Sequence, residues 1–225
     1  MEEDKMKKII ALLLALVTAL SLVACGSNGG DKDDDVIKIG IFEPTSGQNG
    51  AGGKKEILGI EYAHSLKPTV TIGGKEYQIQ LVTADNASDA SKAPAAAQTL
   101  ISAGVSVVVG TYGSGCAIAA GDLFKSARIP AIGTSCTNVQ VTAGNDYYFR
   151  VAFIDSFQAK IMANYAVKNC NAKTAAILIE VSSDYSVGLA SFFEQYMKEL
   201  TGNDNCIVAT ANYNTGDQDF TAQIN

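Results

Sequence analysis

Val105-Ser106-Val107-Val108-Val109-Gly110-Thr111-Tyr112-Gly113-Ser114-Gly115-Cys116 is the stretch that decides the fold class. A β-branched apolar run ends in a glycine-rich turn, and Ala117 to Ala127 then reads as a helix. Strand, turn and helix in that order make the repeating step of an open α/β sheet, whose ligands lie outside the carboxyl ends of the strands. The first N–H groups of a helix have no partner within it, and its dipole is positive at that end, so an anion is favoured there. Ser114 adds a hydroxyl where a carboxylate would lie. A turn of this composition can equally do no more than reverse the chain.

Working outward, the same alternation continues on both sides. Val36 to Phe42 reads as a buried strand, Glu43 to Gly53 as a loop, and Lys54 to Leu66 as a helix with Ile57, Ile60 and Ala63 on its inner face. Val70 to Ile72, Gly73-Gly74 and Tyr77 to Thr83 read as a hairpin. Ser88 to Ala103 reads as a helix capped by Ser88 or Asp89 and stopped by Gly104. Beyond the central turn come a strand at Arg128 to Ile132, its exit loop Gly133 to Asn138, and a strand at Tyr147 to Ala152. A helix at Phe157 to Val167, a strand at Thr174 to Glu180, a helix at Ser186 to Leu200 and a strand at Cys206 to Tyr213 follow, and a further helix opens after Gly216. This pattern predicts βαβ units and a parallel sheet. A second β/α set begins near Val151 to Phe157. It holds two clear strands before the sequence stops at Asn225, too little surface for a comfortable unit of its own, so the expectation is a truncated chain.

The composition fits an α/β protein of one or two domains. The 225 residues include 21 Gly, 4 Pro and no Trp, and the formal net charge is −6. No cluster of Lys and Arg with interleaved aromatics appears, which argues against nucleic acid as a partner. A single His, His64, leaves little for His-based catalysis or a His-rich metal site, and it reads as structural or solvated. Lys5, Lys7 and Lys8 precede an apolar run from Ile9 to Leu20, the pattern of a secretory signal and too short for a comfortable membrane span. Leu22-Val23-Ala24-Cys25 resembles the lipobox of bacterial lipoproteins, in which the Cys is lipidated and becomes the new N-terminus. Ser27 to Asp35, rich in Gly and Asp, reads as a flexible tether.

The motifs of enzymes fail one by one. Gly113-Ser114-Gly115 is no nucleophile elbow, because Tyr112 and Cys116 hold the outer positions. Gly47 to Lys55 is glycine-rich but has Gly53 where a phosphate loop needs Lys. No catalytic Ser, His and Asp set can be built around His64 alone. The chain is therefore expected not to be an enzyme, and neither a cofactor nor a metal site is called for; Cys-x-x-Cys is absent. Cys116 with Cys136, and Cys170 with Cys206, could each form a disulfide in an oxidising compartment or stay as free buried thiols.

The lipobox, Ile37-Lys38-Ile39-Gly40-Ile41-Phe42-Glu43-Pro44-Thr45-Ser46-Gly47, the Gly110–Gly115 turn, Asp184-Tyr185-Ser186-Val187-Gly188 and Gly216-Asp217-Gln218-Asp219-Phe220-Thr221 follow one another along the chain. In these pieces, and over most of Val36–Asn225, the sequence resembles the extracellular solute-binding proteins of branched-chain amino acid ABC importers. The resemblance implies a type I periplasmic-binding-protein fold, with two doubly wound parallel-sheet lobes closing on ligand at a hinge, the second lobe incomplete here. The implied division is a lipoprotein signal peptide at 1–24, a tether at 25–35, ligand-binding lobe I at 36–152 and a partial lobe II at 153–225. It implies that Ser114 and the turn with Gly115 receive the ligand carboxylate. The loop with Ser135 and Thr137 is implied to offer a backbone carbonyl to the ammonium and a hydroxyl to the head group, and Tyr185 to cover the ligand from the second lobe. Ser46 is a further candidate for the cleft, or a turn residue.

Some relatives carry Tyr where this chain has Gly52, so one wall of the pocket is expected to be altered or larger. The acidic residue that meets the ammonium is expected beyond Asn225. The implied partners are a small-molecule ligand, an ABC permease, and the membrane through lipid on Cys25, with the chain acting as a monomer on the outer face of a bacterial cell membrane. Binding of urea, short amides or aromatic acids, and a receptor's ligand-sensing ectodomain, are the alternative readings.

Overall fold

The protein, represented by a computed structural model, is described over residues 35–224. The signal segment, the lipidation residue Cys25 and all but the last residue of the tether lie outside the described residues. Strand β1 (Val36–Glu43) is the centre of a six-stranded sheet, and its last four residues are buried. It runs parallel to β3 (Lys75–Asp85) on one side and to β4 (Val107–Val109) on the other. β2 (Thr69–Ile72) pairs antiparallel with β3 across Gly73 and Gly74, whose φ values of 61° and 85° are those of a tight hairpin turn. β5 (Ala131–Gly133) and β6 (Tyr148–Arg150) extend the sheet, parallel to β4, in the order β2-β3-β1-β4-β5-β6. The chain thus leaves β1 towards one edge and returns to build the other. This is the switch point at which the loops after neighbouring strands diverge and leave a crevice.

Helices cover the sheet through small residues. α2 (Ala93–Ser102) and α3 (Ser114–Ala127) bury Ala93, Ala96, Ala97, Leu100, Ala117, Ala120 and Phe124 against Phe42, Val105 and Val108. Alanine faces let the helices approach closely, and two aromatic rings fill the remaining depth. Phe42 and Phe124 meet edge to face, with centroids 5.5 Å apart. α1 (Gly50–Leu66) covers another part of the sheet and is pinned at its far end by His64, whose Nε2 lies 3.0 Å from the Ile79 carbonyl in β3. The lone histidine is a structural tie.

A second, parallel pair follows: β7 (Ala175–Glu180) and β8 (Ile207–Tyr213), joined by α5 (Asp184–Thr201). α4 (Asp155–Asn169) packs on α5, and Ala163, Met197 and Cys206 form their buried core. The short helix α6 (Thr221–Ile224) ends the described chain. Outward-facing apolar residues recur one helical turn apart on two helices, Leu58, Tyr62 and Leu66 on α1 and Phe157, Ile161 and Tyr165 on α4. No described helix is long and apolar enough to cross a membrane.

Several boundaries differ from the sequence expectation. α1 begins at Gly50 and not Lys54, so the glycines expected in a loop form its first turn. Gly53 is buried there because its Cα lies against the Pro44 backbone, where any Cβ would collide. Ala63 is exposed; the inward row of α1 is Gly53, Ile57, Ile60 and His64. α2 begins at Ala93 after a series of turns in which the Asp89 carbonyl accepts from both Lys92 N and Ala93 N, and Pro94 takes a first-turn position that needs no N–H donor. The strand expected at Arg128 to Ile132 starts only at Ala131. Arg128 adopts a left-handed φ of 56° and closes α3, with Ile129 N bonding back to the Phe124 carbonyl. Cys116, Cys136, Cys170 and Cys206 are free thiols.

Candidate functional site

The carboxyl ends of both parallel sheets open on one cleft of about 510 Å3. Gln48 and Asn49 reach it from the loop after β1, Ser88 and Ala90 from the loop after β3, and Tyr112 to Cys116 from the turn after β4. Ser135 and Thr137 line it after β5, and Ala152 and Phe153 after β6. The second sheet supplies Glu180 to Tyr185, apart from Val181, and Thr215.

The turn after β4 is built from beneath. Gly110 sits at φ 127° with its Cα against the Phe42 carbonyl, a place that admits no side chain. Tyr148 donates its hydroxyl to the Gly110 carbonyl at 3.0 Å, and Asn86 Nδ2 donates to the buried Thr111 hydroxyl at 2.8 Å. Glu43, at the end of β1, accepts Tyr112 N at 2.8 Å. The turn therefore reaches Ser114, the first residue of α3, in a fixed position.

Ser114 is buried, and its oxygen accepts the Asn138 backbone N–H at 3.2 Å. A hydroxyl that accepts on one lone pair keeps its proton for another partner, so the Ser114 O–H is available to an acceptor in the cleft. With the orphan N–H groups of the α3 start it forms an anion-accepting corner. Gly115 belongs to the same corner; a Cβ there would lie 2.9 Å from Asp184 Oδ2, so the carboxylate of the second sheet's helix rests against bare backbone.

The loop after β5 is held by Arg150, which donates to the Cys136 carbonyl at 3.0 Å, the Asn138 carbonyl at 2.9 Å and the Thr142 hydroxyl at 2.9 Å. Asn138 ties this loop to the second sheet, since its Nδ2 donates to the Asp184 carbonyl at 2.7 Å. Ser135 lines the cleft, but its hydroxyl is given to Glu56 Oε1, and Thr134 gives its hydroxyl to the other Glu56 oxygen. The Ser135 hydroxyl proton is thus already committed. Thr137 is on the lining, and its own carbonyl accepts Asp155 N at 3.0 Å. Tyr185 faces the cleft from α5, its hydroxyl accepting Gln158 Nε2 at 2.9 Å. Five of the six expected ligand residues therefore share one cleft. Ser46 does not line it: its hydroxyl donates to Asp85 Oδ2 at 2.6 Å, stabilising the turn after β1.

Behind the cleft lies a pair of carboxyl groups that the sequence did not announce. Glu43 is fully buried beside Glu56, and its Oε1 lies 3.0 Å from the same Thr134 hydroxyl oxygen. Loss of water, then the hydrogen bond and charge of Glu56, push its pKa from 4.5 up to about 9, against the opposing bonds from Tyr112 N and Thr134. Asn138, Asp184 and Glu180 were missed as well. Asp184 adjoins Tyr185 within a quoted motif, and that adjacency was the available signal. Nothing in the pattern of the loop marked Asn138.

Cys116 reaches the lining, yet burial holds its thiol up at about 12, which removes it as a nucleophile. Among the described residues no three His, Cys, Asp or Glu side chains gather as metal ligands. No Lys, Arg or His is among the described residues on the cleft wall, whereas Asp184 and Glu180 are.

Comparison with known proteins agrees with this architecture. Residues 36–225 match the periplasmic binding protein family. The leucine-specific-binding protein of Salmonella typhimurium is 30% identical over 221 residues, covering 97% of this chain and 57% of that protein. A leucine binding protein from Thermotoga maritima superimposes with a TM-score of 0.76 at 34% identity, over 84% of this chain and 52% of that one. The branched-chain amino acid transporter substrate binding protein of Streptococcus pneumoniae, solved with isoleucine, gives 0.72 at 34% identity, over 84% and 53%. The chain spans about half the length of the curated relatives it matches. From its sheet order, its cleft and a family match that takes in every described residue but the first, the chain belongs to the periplasmic binding proteins, in their type I fold and with leucine- and Leu/Ile/Val-binding proteins as its relatives.

Proposed function

We propose that this chain captures a free amino acid, branched-chain or related, outside the membrane and delivers it to the permease of an ABC importer. Residues 36–152 and 153–225 act as two lobes that close on the ligand, and lipid on Cys25 holds the protein at the membrane face. The observation that carries the ligand reading is the charge pattern of the cleft. One corner offers N–H and O–H donors at Ser114 and the start of α3, Asp184 stands beside it, Glu180 lines the same cleft, and no cationic side chain on the described wall balances them. A bare carboxylate in that corner would face the two acidic groups unneutralised. An α-amino acid brings its own ammonium, which the Asp184 carboxylate and the Ser135 carbonyl can accept while the ligand carboxylate takes the donors. Closure follows from contacts that only the closed arrangement makes with both ends of the ligand, Tyr185 among them.

The test is calorimetry on the full chain with leucine, with 4-methylpentanoate, which lacks the ammonium, and with 3-methylbutylamine, which lacks the carboxylate. Leucine should bind at least about 100-fold more tightly than either, because each analogue leaves a built polar corner unpaired. Equal binding of 4-methylpentanoate would overturn the ammonium role and favour simple carboxylic acids as the ligand class.

A further inference from the structure

Behind two of the loops that line the cleft, the carboxyl groups of Glu43 and Glu56 meet on a single hydroxyl. Glu43 Oε2 accepts Tyr112 N at 2.8 Å, and Glu56 Oε1 accepts the Ser135 hydroxyl. The other two oxygens, Glu43 Oε1 and Glu56 Oε2, both reach the hydroxyl oxygen of Thr134, the first at 3.0 Å and the second in closer contact. A threonine hydroxyl has one proton to donate. It satisfies one of these two contacts, and the other closes only when a carboxyl oxygen carries a proton of its own. Charge leads to the same count. Two ionised carboxylates on one hydroxyl repel, and among the described residues neither is paired with a Lys, Arg or His. The network joins the end of β1, α1, the turn after β4 and the loop after β5, and Tyr112 and Ser135 are its members on the cleft wall.

We propose that Glu43 and Glu56 are positioning residues for the ligand, and that the one proton they share holds the two cleft loops in the arrangement that binds, so that affinity weakens when this proton is lost. The proposal rests on the amino-acid reading above and adds a proton linkage to it. When the proton leaves, the second contact to Thr134 opens, and repulsion between the carboxylates works against the ties to the turn after β4 and the loop after β5. A ligand seated between these loops favours the protonated pair, and so holds its proton to a higher pH than the free protein does. Burial and then Glu56 raise the Glu43 pKa to about 9 in the free protein, so affinity is full at neutral pH and falls as pH rises through that value. The other titratable groups around Glu43 are Cys116 on α3, Cys136 on the loop after β5 and Tyr148 on β6. Burial holds Cys116 at about 12, Cys136 at about 11 and Tyr148 well above its ordinary 10, which leaves the carboxyl pair to change charge in this range.

An amide at either position replaces the shared proton permanently. In Glu43→Gln the Nε2 supplies it while Oε1 still accepts Tyr112 N; in Glu56→Gln the Nε2 donates to Thr134, which passes its own proton to Glu43. Calorimetry with leucine on the full chain of wild type and both variants, in buffers of different ionisation enthalpy between about pH 6 and 9, reads affinity and proton uptake together. At about pH 9 wild type should take up roughly 0.3 proton more per leucine bound than either variant, and its affinity should have fallen about 2-fold further, both differences vanishing near pH 6. The ammonium of leucine, and Asp155, whose pKa burial also raises, are common to all three proteins and cancel. A role confined to holding the fold would move the melting temperature of the variants and leave proton uptake the same. If one variant does not fold, the other carries the comparison. A wild type that binds leucine with the proton uptake of the variants at every pH refutes this proposal alone. A wild type that binds no leucine refutes the functional reading and this proposal with it.

Discussion

Glu43→Gln should flatten the pH dependence of stability near neutrality. The wild-type carboxyl is fully buried beside Glu56, and its pKa rises from 4.5 to about 9 on folding, first through desolvation and then through Glu56. The folded state therefore holds a proton that the unfolded chain has released. Stability from this group is whole below pH 4.5, falls as pH climbs from there, and is fully lost above about 9. One bound proton corresponds to a slope of about 1.4 kcal/mol per pH unit, so by about pH 7.5 the loss reaches roughly 4 kcal/mol as a ceiling, a large share of a domain's stability. Glutamine is nearly isosteric. Its Oε1 can accept Tyr112 N as the carboxylate does, its Nε2 can donate to Glu56, and it does not titrate. Urea denaturation of both proteins, followed by circular dichroism at about pH 5, 6, 7 and 8, should give unfolding free energies that diverge steadily in favour of the variant. Asp155, whose pKa burial also raises, is common to both proteins and cancels in the difference. Parallel curves would refute the reasoning, because they would mean that Glu43 gives up its proton in the folded chain as easily as in the unfolded one.

Ser114→Ala should weaken amino-acid binding by about 1–3 kcal/mol through loss of a charge-assisted bond, and unchanged affinity in calorimetry would remove Ser114 from the site. Because Asn138 N also loses its acceptor, a modest fall in melting temperature is expected alongside, and the affinity must be read well below that melt. Cys25→Ala should abolish incorporation of labelled lipid in a bacterial host; label persisting on that variant would sink the anchor.

The parallel sheet was legible because the hydrophobic runs are short and each is followed by a turn. Val107–Val109 before Gly110, and the Gly73-Gly74 hairpin, are cases where a local rule and the tertiary structure agree. Misplaced boundaries arose where tertiary contact overrode that rule. Gly50, Gly52 and Gly53 look like loop residues, but α1 needs them to pass against Pro44 and Tyr112, and a helix pressed on other backbone favours the residue with no side chain. Arg128 shows the reverse error: an apolar pattern suggested a strand where a left-handed residue still belonged to the end of α3.

The site was half legible, for a reason that lies in its chemistry. Residues on the cleft wall sit next to turn glycines and helix starts, which a sequence displays, so Ser114, Gly115 and Tyr185 could be placed there. The groups that hold those residues in place are distant in sequence: Glu43 with Glu56 beneath Tyr112 and Ser135, and Arg150 with Asn138 beneath Thr137 and Ser114. Ser135 is the clearest case. The loop was expected to offer a carbonyl and a hydroxyl, yet the Ser135 hydroxyl is given to a carboxylate from α1. Which atom of a loop residue is left for a ligand is decided by what stands behind it, and here that is the buried pair Glu43 and Glu56, in which burial and the neighbouring carboxyl push the Glu43 pKa up to about 9. Binding and stability should therefore respond together to pH, and Glu43→Gln is the change that tells whether one proton governs both.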